Sequence, residues 1–249
     1  MKLINLYKNL MISHLLTPKT ITEYDRNIVH LFSRFNIGSD STLKLNEICK
    51  KDEININLLV DLINCYNDLS YLEKTKFEDY SIINLIDYLE KSHLYYLEKK
   101  IPEIEQSLLQ LSLQESFSFN YIFIKFFEEY KKDIVSHFKT EDEILFPFCK
   151  ILDRYINFSS DKDLIYILEN KETVYQLMDQ HKKNNDDVDD LQNLLIKYSP
   201  NSNKLSYFEI FLNQMSLFQK DLKIHAEIEE NVLMKKIYNN LKAFELKNV

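Results

Sequence analysis

Residues 136–148 read SHFKTEDEILFPF, and this stretch decides how the chain folds. His137 and Glu141 are four residues apart, with phenylalanine, isoleucine and leucine around them. Residues at this spacing lie on one side of a helix, so the pair lies on the side that its neighbours mark as apolar. A core-facing helix surface therefore contains an imidazole and a carboxylate, which needs a physical reason.

The same arrangement recurs along the chain when apolar residues are followed in alternating steps of three and four. The first stripe contains Phe127, Tyr130, Ile134, His137, Glu141, Ile144 and Phe148. A second stripe repeats the His-x-x-x-Glu pair: Phe211, Met215, Phe218, Leu222, His225, Glu229 and Val232. Two more stripes have one histidine each: Ile86, Leu89, His93 and Leu97, and then Val174, Met178, His181, Val188 and Leu191.

The whole chain is predicted to be helical, because 249 residues contain only one glycine and four prolines. Long helical patterns cover about residues 79–111, 117–153, 161–198 and 204–245, with short polar connectors between them. Short loops between long amphipathic helices indicate antiparallel neighbours. We therefore predict an all-α fold, in which a small helical N-terminal domain (1–75) precedes an up-down four-helix bundle (76–249). In the first domain, a helix is expected after Pro18 with Thr20 or Thr22 as its N-cap.

Composition excludes several classes of protein. The net charge of −8 and the pI of about 5.4 argue against a nucleic-acid-binding or anionic-membrane surface. No apolar run approaches the length of a membrane span, and the N-terminus has no signal-peptide cleavage site. Cys49, Cys65 and Cys149 are far apart and form no CxxC motif. This pattern predicts a cytoplasmic protein without disulfide bonds.

A shared metal centre would explain why histidines and glutamates lie on the apolar stripes of several helices. A buried carboxylate without a partner costs several kcal/mol, and imidazole with carboxylate suits iron, manganese or zinc. Two carboxylates with histidines from four helices suggest two ions. The alternative is that each histidine is an ordinary hydrogen-bonded core residue and that both glutamates reach solvent from a helix edge. Recurrence of the pair at the same phase in two helices favours the metal hypothesis.

These residues also resemble a known family. SHFKTEDEILFP (136–147) and KIHAEIEENVLM (223–234) are similar to the paired H-x-x-x-E motifs of hemerythrin-like, HHE cation-binding domains. DQHKKNNDDVDDL (179–191) resembles the third-helix histidine segment. The segments at 85–106 and 29–63 resemble the first bundle helix and the preceding small domain of one branch, the repair-of-iron-centres proteins.

The resemblance implies a non-haem di-iron centre, of which an oxo-bridged pair is one form; other divalent metals stay open. Its implied metal ligands are His93, His137, Glu141, His181, His225 and Glu229, with the glutamates as bridges. The family often has two adjacent histidines at the first-helix position, where this chain has His93 and Leu94. A further histidine before the second helix is absent, and only Gln114 or Glu115 is near; GSDST (38–42) replaces an adjacent cysteine pair. One ion is therefore expected to be weakly held, near His93 and His137.

Three functions are compatible with these observations. The leading hypothesis is a di-iron protein of iron–sulfur cluster repair that holds or donates iron under nitrosative or oxidative stress, a binding function more than substrate turnover. The second is a sensor of dioxygen, nitric oxide or redox state that acts through a protein partner. The third is a bundle that has lost its metal and serves as an interaction module. Expected partners are metal ions, dioxygen or nitric oxide, an iron–sulfur protein or a regulator, and a second copy of the chain.

Overall fold

The computed structural model describes residues 12–113, 120–181 and 206–247, and every regular element within these ranges is helical. The prediction of an all-α protein is confirmed for this part of the chain. The chain divides into two compact units, Met1–Tyr80 and Ser81–Val249. Among the described helices, none combines the length and the apolar content that crossing a bilayer requires.

The first unit is built from short helices around a small apolar core. Its α-helices are α1 (Pro18–Tyr24), α2 (Val29–Arg34), α3 (Leu45–Lys51) and α4 (Ile56–Asn67), with single 3₁₀ turns at Arg26–Ile28, Leu69–Tyr71 and Phe77–Asp79. Leu31, Phe32 and Leu59 are fully buried. The buried Asn64 accepts a hydrogen bond from the Ile12 N–H at 2.9 Å, so its side chain ties the start of the described chain to α4.

The predicted start of α1 was wrong by one turn. Thr17 is the N-cap, and its hydroxyl oxygen accepts a hydrogen bond from the Thr20 N–H at 3.1 Å. Pro18 is the first helical residue, not the residue before the helix. This position suits proline because the first helical N–H has no intrahelical acceptor and the ring already fixes a helical φ. Thr20 and Thr22 lie inside the helix.

The second unit contains long helices, three of which include a π-helical segment with wider turns. Its elements are α5 (Ile82–Tyr95), π1 (Tyr96–Lys100), α6 (Ile101–Ser112), α7 (Asn120–Thr140), π2 (Glu141–Leu145), α8 (Phe146–Phe158), α9 (Asp161–His181), α10 (Ser206–Ile228), π3 (Glu229–Leu233) and α11 (Met234–Lys247). Each π segment continues directly from one α-helix into the next. Most observed helix limits lie within a few residues of the predicted ones, and α8 extends further, to Phe158. The predicted end of the third long helix at residue 198 lies outside the described residues.

The middle of this unit is enclosed by helix packing from several directions. Helix α5 packs against α8 and π3, helix α6 packs against α7 and α10, and α8 also packs against α9 and α11. Aromatic residues dominate the core between α6, α7 and α10, including Phe127, Phe211 and Phe218. A continuous apolar core of this kind places the centre of each long helix away from water.

Among the described side chains of the second unit, one apolar core position was predicted wrongly, and π2 explains the difference. Val188 and Leu191, which were also predicted for the core, lie outside the described residues. Ile144 was assigned to the core stripe, but its side chain is 37% exposed, whereas Leu145 is fully buried. A π turn contains about one residue more than an α turn. The core stripe therefore moves forward by one residue within π2.

The turn between α8 and α9 is short and tightly held. Ser159 has the left-handed conformation, with φ 53° and ψ 48°, and its N–H donates to the Tyr155 carbonyl at 2.8 Å. Arg154 donates to both carboxylate oxygens of Asp163, at 2.7 and 2.5 Å. These bonds join the end of α8 to the first turn of α9.

We predict that Ser159→Gly stabilises the protein and that Ser159→Ala does not. Glycine adopts a positive φ without the steric penalty of a Cβ. The greater conformational entropy of the unfolded glycine variant offsets part of this gain, so the net increase in the free energy of unfolding is about 0.5–1 kcal/mol. Urea unfolding followed by circular dichroism measures the difference. Equal midpoints for the glycine and alanine variants would contradict the assigned turn.

Candidate metal centre

Five of the six predicted ligands have described side chains, and all five lie in one cluster at the middle of the second unit. Helix α5 supplies His93, α7 and π2 supply His137 and Glu141, and α10 and π3 supply His225 and Glu229. Four of them are at most 3% exposed, while the His137 side chain is 37% exposed. The alternative hypothesis that the glutamates reach solvent is wrong, because Glu141 and Glu229 are 1% and 2% exposed.

Glu141 is the central residue of the cluster. Its Oε1 lies 2.8 Å from His137 Nε2, and its Oε2 lies 3.2 Å from His93 Nε2. The two oxygens of one carboxylate thus face imidazoles from two different helices. Three potential ligand atoms, one each from His137, Glu141 and Glu229, lie within 4.8 Å of one another.

His225 closes the cluster on the side of α10. Its Nδ1 lies 3.6 Å from Glu229 Oε2, and its ring centroid lies 5.0 Å from that of His93. This second His-x-x-x-Glu pair comes from a different helix than the first. The two pairs identified in the sequence are therefore adjacent in space.

Four other positions considered in the sequence do not place a described side chain in the cluster. The backbone of His181 ends α9, but its side chain lies outside the described residues, as do Gln114 and Glu115. Leu94 is 57% exposed, whereas its neighbour His93 is fully buried. The first helix therefore turns His93, and not position 94, toward the cluster.

The π segments place the two glutamates. Glu141 is the first residue of π2 and Glu229 is the first residue of π3, so each follows its histidine by four residues and begins the wider turn. Such segments cost hydrogen-bond geometry and are frequent at functional sites. Pro147 follows π2, where a wider turn relieves the clash between a proline ring and the preceding turn. Lys235 stands at the same position after π3, so the proline is not required.

The electrostatics of the cluster are dominated by the two adjacent carboxylates. Burial raises the pKa of Glu229 well above its ordinary value of 4.5. Glu141 raises this pKa further through its negative charge and a hydrogen bond, and the charges of Glu230 and Asp142 add to the effect. For His137, burial lowers the pKa, but the hydrogen bond and charge of Glu141, with the charge of Glu230, outweigh burial and raise the pKa. Negative charge is thus in excess, and the site favours a proton or a cation.

Aromatic rings surround the cluster and fix the imidazole planes. Phe138 stacks on His93 at 4.1 Å between ring centroids, and Phe146 stacks at 5.4 Å. Tyr96, the first residue of π1, packs edge-on against His225 at 5.8 Å. Its hydroxyl donates to Asp221 Oδ1 at 2.6 Å, and both residues are buried.

Sequence reasoning missed Tyr96, Asp221 and Asp142 as neighbours of the cluster. Asp142 Oδ1 lies 2.8 Å from His93 Nδ1. Two of them have a signal beside the His-x-x-x-Glu pairs: Asp221 precedes His225 by one helical turn, and Asp142 directly follows Glu141. Tyr96 also had a signal, because it follows His93 by three residues and this spacing places both on one side of a helix.

The described residues fit a metal ion in both geometry and chemistry. Metal–nitrogen and metal–oxygen bonds of about 2.0–2.2 Å place the ligand atoms of a tetrahedral ion about 3.3–3.6 Å apart. The atoms of this group, which lie within 4.8 Å of one another, would therefore draw closer together around an ion. His93 Nε2 is buried and makes no hydrogen bond. All converging atoms are nitrogen or oxygen, the donor set that iron, manganese and zinc accept. These observations describe a candidate site for such an ion.

No family model, curated protein or solved structure matches this chain. The resemblance to hemerythrin-like domains therefore rests on the sequence motifs alone, and the site must be argued from its own geometry.

We predict that Glu229→Gln flattens the pH dependence of stability in metal-free protein. The folded state raises the pKa of Glu229, so its share of stability is present below about pH 4.5 and is lost as pH rises through the raised value. The loss reaches about 1.4 kcal/mol per pH unit within that window. Urea unfolding at a series of pH values measures the slope.

Glu143→Gln is the matched control, because the Glu143 side chain is 63% exposed and lies in the same π segment as Glu141. Its slope should equal that of the parent protein. If the Glu229→Gln and parent slopes are equal, the two carboxylates do not share one buried site.

Proposed function

We propose that the second unit is an up-down four-helix bundle that holds a non-haem di-iron centre. The ligands are His93, His137, Glu141, His181, His225 and Glu229. One observation supports this most strongly: two buried carboxylates lie against three imidazoles from three helices, with excess negative charge. An iron pair would supply the positive charge that this cluster favours.

Glu141 and Glu229 are proposed as the bridging ligands. Glu141 directs one oxygen to His137 and the other to His93, and a carboxylate whose oxygens face two histidines is suited to join two ions. Glu229 neighbours Glu141 and has His225 one turn before it. Each His-x-x-x-Glu pair would thus supply one bridging carboxylate and one imidazole that binds a single ion.

The proposed role of the centre is to hold or donate iron for the repair of iron–sulfur clusters under nitrosative or oxidative stress. The motif resemblance suggests this role, and the open edge of the cluster at His137 supports exchange of an ion with solvent. We place the activity in the cytoplasm, where the three buried cysteines stay thiols. Binding and delivery, and not substrate turnover, are the proposed activity.

The same exposed edge supports a second candidate function, sensing of dioxygen or nitric oxide. A small molecule could reach the centre beside His137, whose side chain is 37% exposed. The two functions differ in outcome. A repair protein transfers iron to a cluster-free iron–sulfur protein, whereas a sensor keeps its iron and changes its affinity for a partner.

Metal content tests the proposal directly. Protein expressed with abundant iron and purified without chelator should contain more than one iron per chain by elemental analysis, because the ligands suffice for two ions. Glu141→Gln should lower this content markedly, since it removes a bridging charge, while Glu143→Gln should not change it. Parent protein without metal would refute the proposal and favour the metal-free interaction module.

Chelator kinetics test the proposed ligand at the first helix. Iron should leave the parent protein in two phases, with the ion beside the exposed His137 leaving first. His93→Ala should accelerate loss, because it removes a buried donor. Leu94→His is the matched control and should change nothing, since that side chain points to solvent. Slower loss in Leu94→His, or parent-like loss in His93→Ala, would show that His93 is not the ligand.

A further inference from the structure

Asp142 contacts the cluster from outside the predicted ligand set. It is the second residue of π2, and its Oδ1 lies 2.8 Å from His93 Nδ1. The Asp142 side chain is 37% exposed, whereas the His93 side chain is 1% exposed. A partly solvated carboxylate thus touches a fully buried imidazole of the candidate centre.

The two ring nitrogens of His93 face two different carboxylates. Nδ1 faces Asp142, and Nε2 faces Glu141 at 3.2 Å without hydrogen-bond geometry. A carboxylate only accepts hydrogen bonds, so the contact with Asp142 requires that Nδ1 carries a proton. In a neutral imidazole, the lone pair then lies on Nε2, which is the atom directed into the cluster.

Stacking alone does not determine this orientation. Phe138 and Phe146 fix the plane of the His93 ring, but a ring flipped by 180° would occupy the same plane. Such a flip would exchange Nδ1 with Cδ2 and Nε2 with Cε1, so a ring carbon would face Asp142. The hydrogen bond to Asp142 is the contact that distinguishes the two orientations.

We propose that Asp142 is a positioning residue of the metal centre: its carboxylate holds the Nδ1 proton of His93 and presents Nε2 as the ligand atom. This inference rests on the proposed metal-binding function. Carboxylates behind ligating histidines fix the tautomer and increase ligand basicity, and their loss typically lowers metal affinity about 10–100-fold. Asp142 itself binds no ion in this proposal.

Zinc binding to parent protein and variants, measured by competition with a chelator, tests the proposal. Asp142→Ala should weaken binding about 10–100-fold. Asp142→Asn should fall between Ala and the parent, because an amide oxygen still accepts the hydrogen bond but carries no charge. Glu143→Ala, one residue away and exposed, should bind as the parent does. Circular dichroism of each variant confirms that the helices are intact.

A second readout separates positioning from a purely structural effect. In ¹⁵N NMR spectra of the zinc-loaded parent protein, His93 should show a protonated Nδ1 that exchanges slowly and a metal-bound Nε2. Asp142→Ala should accelerate exchange of this proton. If zinc binds through Nδ1, or if Asp142→Ala binds zinc as tightly as Glu143→Ala, the positioning role is refuted while metal binding stands. If the parent protein binds no metal, the proposed function and this role fail together.

Discussion

Two carboxylates side by side in a helical core set the main physical constraint on this molecule. Removing Glu141 and Glu229 from water carries a large desolvation cost, and their mutual repulsion adds to it. Three imidazoles lie against the pair, and the raised pKa of Glu229 shows that the folded protein favours neutralising one charge. A proton and a metal cation meet the same requirement, so they compete for this site. Binding of a metal ion at this site would therefore be coupled to folding of the second unit.

The π segments show how the helices accommodate this constraint. In π2 and π3 the first residue is the buried glutamate, four residues after a histidine. A wider turn gives up regular hydrogen bonding and persists where other interactions compensate for it. Its occurrence twice at the same offset from a His-x-x-x-Glu pair, with proline after only one, indicates that packing around the pair maintains the turn. Pro102 stands after π1 where Pro147 stands after π2, so proline accompanies two of the three described π segments.

Much of the fold and of the site was readable from the sequence because helix formation and core burial have a strong 3.6-residue period. The structure brings together His93, His137, His225 and both glutamates, the five residues with described side chains that the stripes had singled out. The same periodicity failed at Ile144, since a π turn adds a residue that no α-helical count includes. Asp142 and Tyr96 were missed for a related reason: they contact the cluster from positions beside the stripe. The ligand role of His181 and the identity of the ion stay predictions.

Exposure around the cluster is unequal, and this inequality bears on function. An ion that only stabilises a fold is usually enclosed by protein ligands, whereas an ion that exchanges or reacts keeps an accessible position. Here His93, Glu141, His225 and Glu229 are buried, but His137 is partly exposed. An accessible edge on an otherwise closed donor set therefore favours a centre that exchanges ions or admits small molecules over a purely structural ion.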